Sequence, residues 1–130
     1  MTVYDSSVLI DYLAGRDAAV EYVREHADEP ANAPPLALFE VYQGEVFRSG
    51  STNLDAVDDA LDWIQVVDTS AAVAREAAVL QDALRDRGDP LAARDAFIAG
   101  TAVVLNERLV VSDADFDVDG LRAVLDLDLV

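Results

Sequence analysis

The chain has 130 residues and a hydrophobic content of 52%, which is enough for one folded core and too much for a disordered chain. The absence of cysteine excludes disulfides and thiolate metal sites, and no apolar run approaches the roughly 20 residues of a membrane-spanning helix. The acidic start of the chain does not resemble a secretory signal, so we expect a single cytoplasmic domain over residues 1–130.

The formal net charge is −17, from 26 acidic residues against 9 basic residues, all of which are arginine. Such a charge indicates either a protein with a cationic partner or a halophilic protein, whose acidic surface keeps it in solution at very high salt. The acids are spread along the chain and do not form one tail, which favours the halophilic interpretation. Because the Debye length is only about 3 Å at 1 M salt, this charge does not exclude a nucleic-acid substrate.

The spacing of apolar residues predicts a strand followed by helices in the first half of the chain. Proline is expected in loops and at the first position of helices. The predicted elements are a strand at 2–4, a helix from about Ser7 to Gly15, a helix at 18–27, a loop marked by Pro30 and Pro34, a helix from Pro35 to about Arg48, and an amphipathic helix at 54–64.

Strands and helices alternate in the second half. The predicted elements are a short strand at 65–68, a long helix between Ser70 and Gly88, a helix opened by Asp89-Pro90 that ends near Leu105, a strand at 108–111, a loop at 112–117 and a last strand at 122–127. Such alternation predicts an α/β fold, with a parallel sheet covered by helices on both faces.

Asp95 is an acid on a helix face that should pack inward. The residues that share this face are all apolar: Leu91, Ala92, Ile98, Ala99 and Ala102. A lone carboxylate there is costly unless it is paired or binds a metal. The alternative is an ion pair with an arginine, but the adjacent Arg94 should point away from Asp95 on a helix, which favours a functional role.

Glu40 repeats this pattern less cleanly, with Leu36, Gly44 and Phe47 on its face. Glycine is costly inside a helix, so Gly44 indicates that something must approach closely at that turn. An ordinary surface glutamate is the alternative for Glu40, and the pattern alone does not decide between the two.

Two further acids follow strands. Asp5 comes after the strand at 2–4 and Asp113 after the strand at 108–111, which places both at the carboxyl edge of a parallel sheet, where ligands bind. On position alone Asp5 could be a plain helix N-cap. Asp113 could belong to a solvated acidic loop with Asp115 and Asp117.

Taken together, these acids predict one anionic cleft. Several carboxylates in one place raise their own pKa values or require divalent cations, and all-oxygen ligands suit Mg²⁺ or Mn²⁺ better than zinc. Carboxylate-held metals of this kind activate water for phosphodiester hydrolysis.

Four segments, in order, resemble the motifs of PIN-domain nucleases, and of VapC-type toxins in particular. The first is Asp5-Ser6-Ser7-Val8-Leu9-Ile10-Asp11-Tyr12-Leu13, and the second is Phe39-Glu40-Val41-Tyr42-Gln43-Gly44. The third is Arg94-Asp95-Ala96-Phe97-Ile98-Ala99, and the fourth is Val111-Ser112-Asp113-Ala114-Asp115-Phe116. The resemblance covers essentially the whole chain, although Pro34-Pro35-Leu36-Ala37 replaces the Ser/Thr-rich stretch that often precedes the second motif.

The resemblance implies a PIN-like three-layer α/β/α sandwich with a parallel five-stranded sheet and a Mg²⁺ or Mn²⁺ site. By motif position the metal-binding acids are Asp5, Glu40, Asp95 and Asp113, where Asp115 could share or replace the role of Asp113, and the supporting hydroxyls are Ser7 and Ser112. It also implies an endoribonuclease acting on RNA, the toxin of a type II toxin–antitoxin pair, that forms a homodimer and is blocked by a small antitoxin. The arginines that could dock RNA are Arg16, Arg48, Arg94 and Arg108.

Other functions stay open at this point. A housekeeping RNA-processing nuclease of the PIN type would carry the same motifs as a toxin, and so would an inactive PIN-like binding module. A receiver or haloacid-phosphatase protein also places acids at strand ends, but both families normally use a lysine, which this chain lacks.

Overall fold

The structure is a computed structural model that describes residues 1–130. Its five strands are β1 (Thr2–Tyr4), β2 (Ala31–Ala33), β3 (Ile64–Val66), β4 (Arg108–Val111) and β5 (Leu127–Leu129). Its seven α-helices are α1 (Ser6–Leu13), α2 (Asp17–Glu25), α3 (Pro35–Phe47), α4 (Leu54–Ala60), α5 (Ala71–Asp86), α6 (Ala93–Leu105) and α7 (Asp119–Arg122). A 3₁₀ turn at Ala114–Phe116 follows β4.

The strands form one sheet in the order β3-β2-β1-β4-β5, and every neighbouring pair is parallel. The helices flank the sheet in an α/β/α sandwich, which confirms the predicted fold class. Parallel strands need crossover connections, and the helices between them supply these.

The two strands at the centre of the sheet position the site. Tyr4 pairs with Val110 in register, and the side chains of β1 and β4 are almost completely buried except at Arg108. Burial on both faces explains why these strands read as continuous apolar runs. Because both strands end at the same edge, the chain segments that follow them, starting at Asp5 and at Ser112, leave the sheet side by side.

Strand β2 lies inside the segment predicted to be a proline-marked loop. Ala31–Ala33 has no β-branched or aromatic residue, so local propensity gives no strand signal. Its position depends on pairing with β1 and β3 on its two sides, which the local sequence does not reveal.

Helix α6 begins at Ala93, three residues after the predicted start at Pro90. The side-chain amide of Gln81 occupies both backbone groups of Leu91: the Leu91 N–H donates to Gln81 Oε1 at 2.9 Å, and Gln81 Nε2 donates to the Leu91 carbonyl at 2.6 Å. With these groups bonded to α5, the segment before Ala93 stays outside the helix.

The last strand was also predicted too early. The segment from 122 contains the end of α7, and β5 starts only at Leu127. The Arg122 guanidinium connects the two elements, since its Nε donates to Asp117 Oδ1 at 2.7 Å and its Nη1 donates to the Leu127 carbonyl at 3.0 Å. No helix of the structure has the length and hydropathy required to cross a membrane.

Gly100 allows close packing of α6 against α5. A Cβ atom at this position would lie 3.0 Å from both the backbone N and the Cβ of Ala77. We therefore expect Gly100→Ala to lower the free energy of unfolding by about 1–3 kcal/mol, because the two helix backbones would have to separate. Urea unfolding measures this, with Gly44→Ala as the control.

At Gly44 an added Cβ would meet nothing within 4 Å. The control should therefore gain up to about 1 kcal/mol from helix propensity alone. A Gly100→Ala variant as stable as the wild type would show that α5 and α6 do not pack this closely.

Candidate active site

Asp5 is the most deeply buried of the candidate acids, with 3% of its surface exposed. It is the N-cap of α1, and its Oδ2 accepts a hydrogen bond from the Ser7 N–H at 3.0 Å. Burial raises the pKa of Asp5 above its usual range, and the nearby charge of Glu40 raises it further, while the hydrogen bonds from Ser7 act in the opposite direction. Asp5 is therefore a helix cap and also a buried acid at the carboxyl edge.

Ser7 links the ends of the two central strands. Its hydroxyl donates to Asp5 Oδ2 and accepts a hydrogen bond from the Ser112 N–H at 3.0 Å. Ser112 enters this link through its backbone, whereas the family motif implied a role for its hydroxyl. The link fixes the Asp5 carboxylate relative to the segment that carries Asp113.

Asp95 lies in the first turn of α6 and is partly buried, above the buried residues Ile98 and Ala99. Burial raises the pKa of Asp95 to about 6. The negative charges of its three acidic neighbours raise this pKa in the same direction, and Arg94 lowers it; the neighbours are, in decreasing order of effect, Asp5, Asp113 and Glu40. The other three candidate acids therefore all act electrostatically on Asp95.

Glu40 lies at the border of the buried face of α3, and not at its centre as its helix pattern suggested. The buried face of α3 is formed by Ala37 and Val41, while Gly44 and Phe47, on the Glu40 side, are exposed. Glu40 itself is 17% exposed by its side chain, and two neighbours occupy its carboxylate. Oε1 accepts a hydrogen bond from the Ser6 hydroxyl at 3.3 Å, and Oε2 pairs with Arg94 Nη1 at 3.0 Å.

The structure separates Asp113 from Asp115. Asp113 caps the 3₁₀ turn, where its Oδ1 accepts a hydrogen bond from the Asp115 N–H at 2.9 Å, and its charge raises the pKa of Asp95. Both side chains are exposed, but Asp115 is not among the charges that raise the pKa of Asp95. Of the two, only Asp113 belongs electrostatically to the cluster of Asp5, Glu40 and Asp95.

The predicted RNA-docking arginines are not equivalent. Arg16 pairs with Asp11 at 3.1 Å, and Arg48 pairs with Glu45 at 2.9 Å. Arg108 starts β4, so it lies at the opposite edge of the sheet from the candidate acids. Only Arg94 pairs with one of these acids.

Sequence reasoning missed the two contacts of Glu40 at this site, with Ser6 and with Arg94. Ser6 is buried and donates to Glu40, but in the sequence it reads only as one of several possible cap residues. Arg94 was rejected correctly as a partner of Asp95, yet its actual partner is on another helix. An arginine in the first turn of a helix, where the helix dipole disfavours a cation, is the signal that could have identified it.

The carboxylates and hydroxyls of this cluster are the donors that Mg²⁺ and Mn²⁺ prefer. No three acidic side chains stand in ready metal-binding geometry, which is consistent with mutual repulsion and with the bond between Glu40 and Arg94. Burial is the largest cause of the raised pKa values of Asp5 and Asp95, and neighbouring carboxylates raise both pKa values further, so a bound cation would stabilise the ionised acids. In donor type and in charge, the residues fit a divalent cation.

The sequence profile of the PIN domain matches residues 2–120. The chain belongs to the PIN domain family. This confirms the family resemblance of the four motifs, and the PIN domain implies a nuclease. Among curated proteins, none matches this chain.

Several solved structures share the fold of this PIN domain. FitAcB from Neisseria gonorrhoeae has a TM-score of 0.82 and 17% identity, over 98% of this chain and 96% of that one. DNA-bound VapBC from Salmonella typhimurium has a TM-score of 0.80 and 16% identity, over 98% and 96%. A toxin–antitoxin complex from Klebsiella pneumoniae has a TM-score of 0.75 and 22% identity, over 92% and 94%. At these identities the likeness is one of fold.

Proposed function

We propose that this PIN domain is a Mg²⁺- or Mn²⁺-dependent endoribonuclease that hydrolyses RNA phosphodiester bonds, and that it is the toxin of a type II toxin–antitoxin pair. The observation that supports the nuclease most directly is the electrostatic coupling of Asp5, Glu40, Asp95 and Asp113 at the carboxyl edge of the sheet. RNA is itself negatively charged, so an anionic pocket would repel it. Such a pocket can serve an RNA-binding protein only when cations bind in it together with the substrate.

In this proposal the four acids hold the metal. When bound, the metal would lower the pKa of a water and stabilise charge on the attacking and leaving oxygens of the phosphodiester. Ser7 orients Asp5 and, through the Ser112 N–H, fixes it against the end of β4. Ser6 orients Glu40 from the first turn of α1.

Cleavage assays with purified protein test the nuclease directly. We expect cleavage of single-stranded RNA with Mg²⁺ or Mn²⁺, none after EDTA treatment, and recovery when the metal is restored. A DNA strand of the same sequence serves as the control for RNA specificity. Cleavage that persists in EDTA, or incorporation of an acyl-phosphate analogue in place of cleavage, would contradict the proposal.

An apolar groove beside the site supports a protein partner. It has a volume of about 430 Å³, lies between α1, α3 and α4, and is lined by Ile10, Leu13, Val41 and Gly44 among others. Gly44 has no positive φ and no neighbour within 4 Å of its missing Cβ, so nothing inside the chain requires glycine there. Since the groove is open at Gly44, it could receive a helix from another chain, and we assign it to a helix of the antitoxin.

Gly44→Leu should fill this groove and leave the fold intact. We expect antitoxin affinity to fall about tenfold or more, because the leucine occupies the space that the partner requires, and RNA cleavage by the free protein to persist. Calorimetric titration with the product of a neighbouring gene for a small protein with a basic tail measures the affinity. Val79→Leu, at an exposed position of α5, is the matched control.

If no such neighbouring gene exists, the housekeeping RNA-processing nuclease becomes the better assignment.

The homodimer is part of the same proposal, and the exposed aromatic side chains of α3 support it: Phe39 is 58% exposed and Phe47 is 78% exposed. Light scattering of the purified protein measures the oligomeric state.

The charge of −17 supports a cytoplasm with high salt as the setting. We expect the melting temperature to rise as KCl is increased from 0.1 to about 2 M, because screening weakens repulsion between surface carboxylates. Differential scanning calorimetry measures this. A melting temperature that falls with KCl would instead support the cationic-partner interpretation of the charge.

A further inference from the structure

Arg94 is the one cation that reaches the carboxylate cluster. Of all ion pairs in the structure, only the pair between Arg94 Nη1 and Glu40 Oε2, at 3.0 Å, includes a candidate site acid. The pair joins the start of α6 to the middle of α3 and so spans the cluster. The two partners differ in exposure, since the Arg94 side chain is 65% exposed whereas that of Glu40 is mostly buried.

The position of Arg94 is unfavourable by local rules. It is the second residue of α6, where the helix dipole disfavours a positive charge, and α6 has no side-chain cap that would offset this. Its charge compensates the acids instead, because it opposes the repulsion that three neighbours exert on Asp95. The positive charge of Arg94 therefore stabilises the carboxylate cluster and does not stabilise helix α6.

We propose that Arg94 is an exchangeable internal counter-ion, which holds Glu40 in the metal-free protein, releases it when a divalent cation binds, and then binds an RNA phosphate at the mouth of the cleft. This inference rests on the proposed nuclease function. Oε1 accepts a hydrogen bond from Ser6 and Oε2 pairs with Arg94, so a divalent cation that binds at Oε2 would repel the Arg94 guanidinium, which lies 3.0 Å from the same oxygen. Release of Arg94 from Glu40 breaks only one contact, because the exposed Arg94 side chain makes no other ion pair.

The released guanidinium suits the substrate. Arginine binds phosphate through its planar fork of donors, and a chain of this negative charge has few other groups for that purpose. Metal binding would thus change the role of Arg94, which neutralises part of the acidic cluster in the metal-free protein and contacts RNA in the metal-bound protein.

Titration with Mn²⁺ alone, followed by calorimetry, tests the exchange. We expect Arg94→Gln to bind Mn²⁺ about fivefold more tightly than the wild type, which is the change expected for loss of one partly exposed ion pair. Arg75→Gln, at an exposed arginine without an ion pair, is the matched control. At about 1 M KCl, long-range effects of removing a charge are screened, so the difference for Arg94→Gln should persist there and any difference for Arg75→Gln should vanish.

A double-mutant cycle separates exchange from a general field effect. In a Glu40→Gln background, Arg94→Gln should strengthen Mn²⁺ binding less than it does in the wild-type background, since there is no ion pair to break and only the effect of the Arg94 charge on the remaining acids is lost. An unchanged or weaker Mn²⁺ affinity in Arg94→Gln itself, or the same gain in both backgrounds, overturns the inference.

Steady-state kinetics test the second role of Arg94. Arg94→Gln should raise KM for RNA about tenfold with little change in kcat, and Arg94→Lys should restore part of the loss; an unchanged KM overturns the phosphate-binding role. A wild-type protein that binds no Mn²⁺ overturns both this inference and the proposed function. Metal-dependent RNA cleavage together with an unaltered Mn²⁺ affinity in Arg94→Gln overturns the inference alone.

Discussion

Asp95→Asn is expected to lower RNA cleavage by at least about 10²–10³-fold and, without metal, to make the protein more stable than the wild type above pH 6. Activity falls because asparagine is a weaker metal ligand and carries no charge. Stability rises because the pKa of Asp95 is raised to about 6 in the folded protein, so that ionisation of this carboxyl opposes folding.

The pH range of the stability effect follows from the direction of that shift. Below about pH 4 the carboxyl is protonated in both the folded and the unfolded chain, so the variant and the wild type should be equally stable. As the pH rises from about 4 to 6 the wild type loses stability that the variant keeps. After a discount for solvent screening, we expect a difference of about 1–2 kcal/mol at pH 7.

Urea unfolding in EDTA between pH 4 and 8, together with cleavage assays in Mg²⁺, measures both effects. Asp59→Asn removes an exposed acid of α4 and should change neither. Full cleavage by Asp95→Asn would rule out Asp95 as a metal-binding acid. A stability difference that does not depend on pH would show that the carboxyl is not under the repulsion described here.

Asp113→Asn is expected to reduce cleavage by about 10²-fold, whereas Asp115→Asn should stay within about threefold of the wild type. The charge of Asp113 acts on Asp95, and that of Asp115 does not. Asparagine is as good a cap as aspartate, so Asp113→Asn should keep the 3₁₀ turn and the fold.

Cleavage rates and melting temperatures of the two variants, measured side by side, give the comparison. Similar melting temperatures would show that any loss of activity is chemical and not structural. An equal loss of cleavage in both variants would mean that Asp115 shares the fourth position, contrary to the arrangement seen here.

The parts of the fold that the sequence predicted well are those where local pattern and tertiary packing agree. Helix α5 was predicted between Ser70 and Gly88 and is observed at Ala71–Asp86, where the buried residues follow the helical spacing: Val73, Ala77, Leu80 and Leu84. Strand β4 was predicted at its observed bounds, because its three residues buried in the sheet centre, Leu109, Val110 and Val111, leave a clear apolar run.

The parts that were missed depend on distant contacts. Strand β2 has no local signal and exists because β1 and β3 pair with it. The start of α6 is delayed by the side chain of Gln81, ten residues earlier in the chain. Neither the strand pairing of β2 nor the contact of Gln81 with Leu91 produces a periodic pattern that could be recognised in a single sequence.

The candidate site shows the same division. The acid on the inward face of α6 and the two acids after strands could be selected from the sequence, and the structure couples them. Their roles as metal ligands remain a prediction. The pair between Glu40 and Arg94 joins residues on different helices, so no local periodicity could reveal it.

The central position of β1 in the sheet determines when, during synthesis of the chain, the acidic cluster can assemble. Thr2–Tyr4 is synthesised before β4 (Arg108–Val111), which is one of the two neighbours of β1 in the sheet. Until then one edge of β1 has no partner, and neither Asp95 nor Asp113 is held near Asp5. A nascent chain that has not yet been extended to Asp113 therefore has no assembled cluster, so the candidate site can form only after this segment has been synthesised.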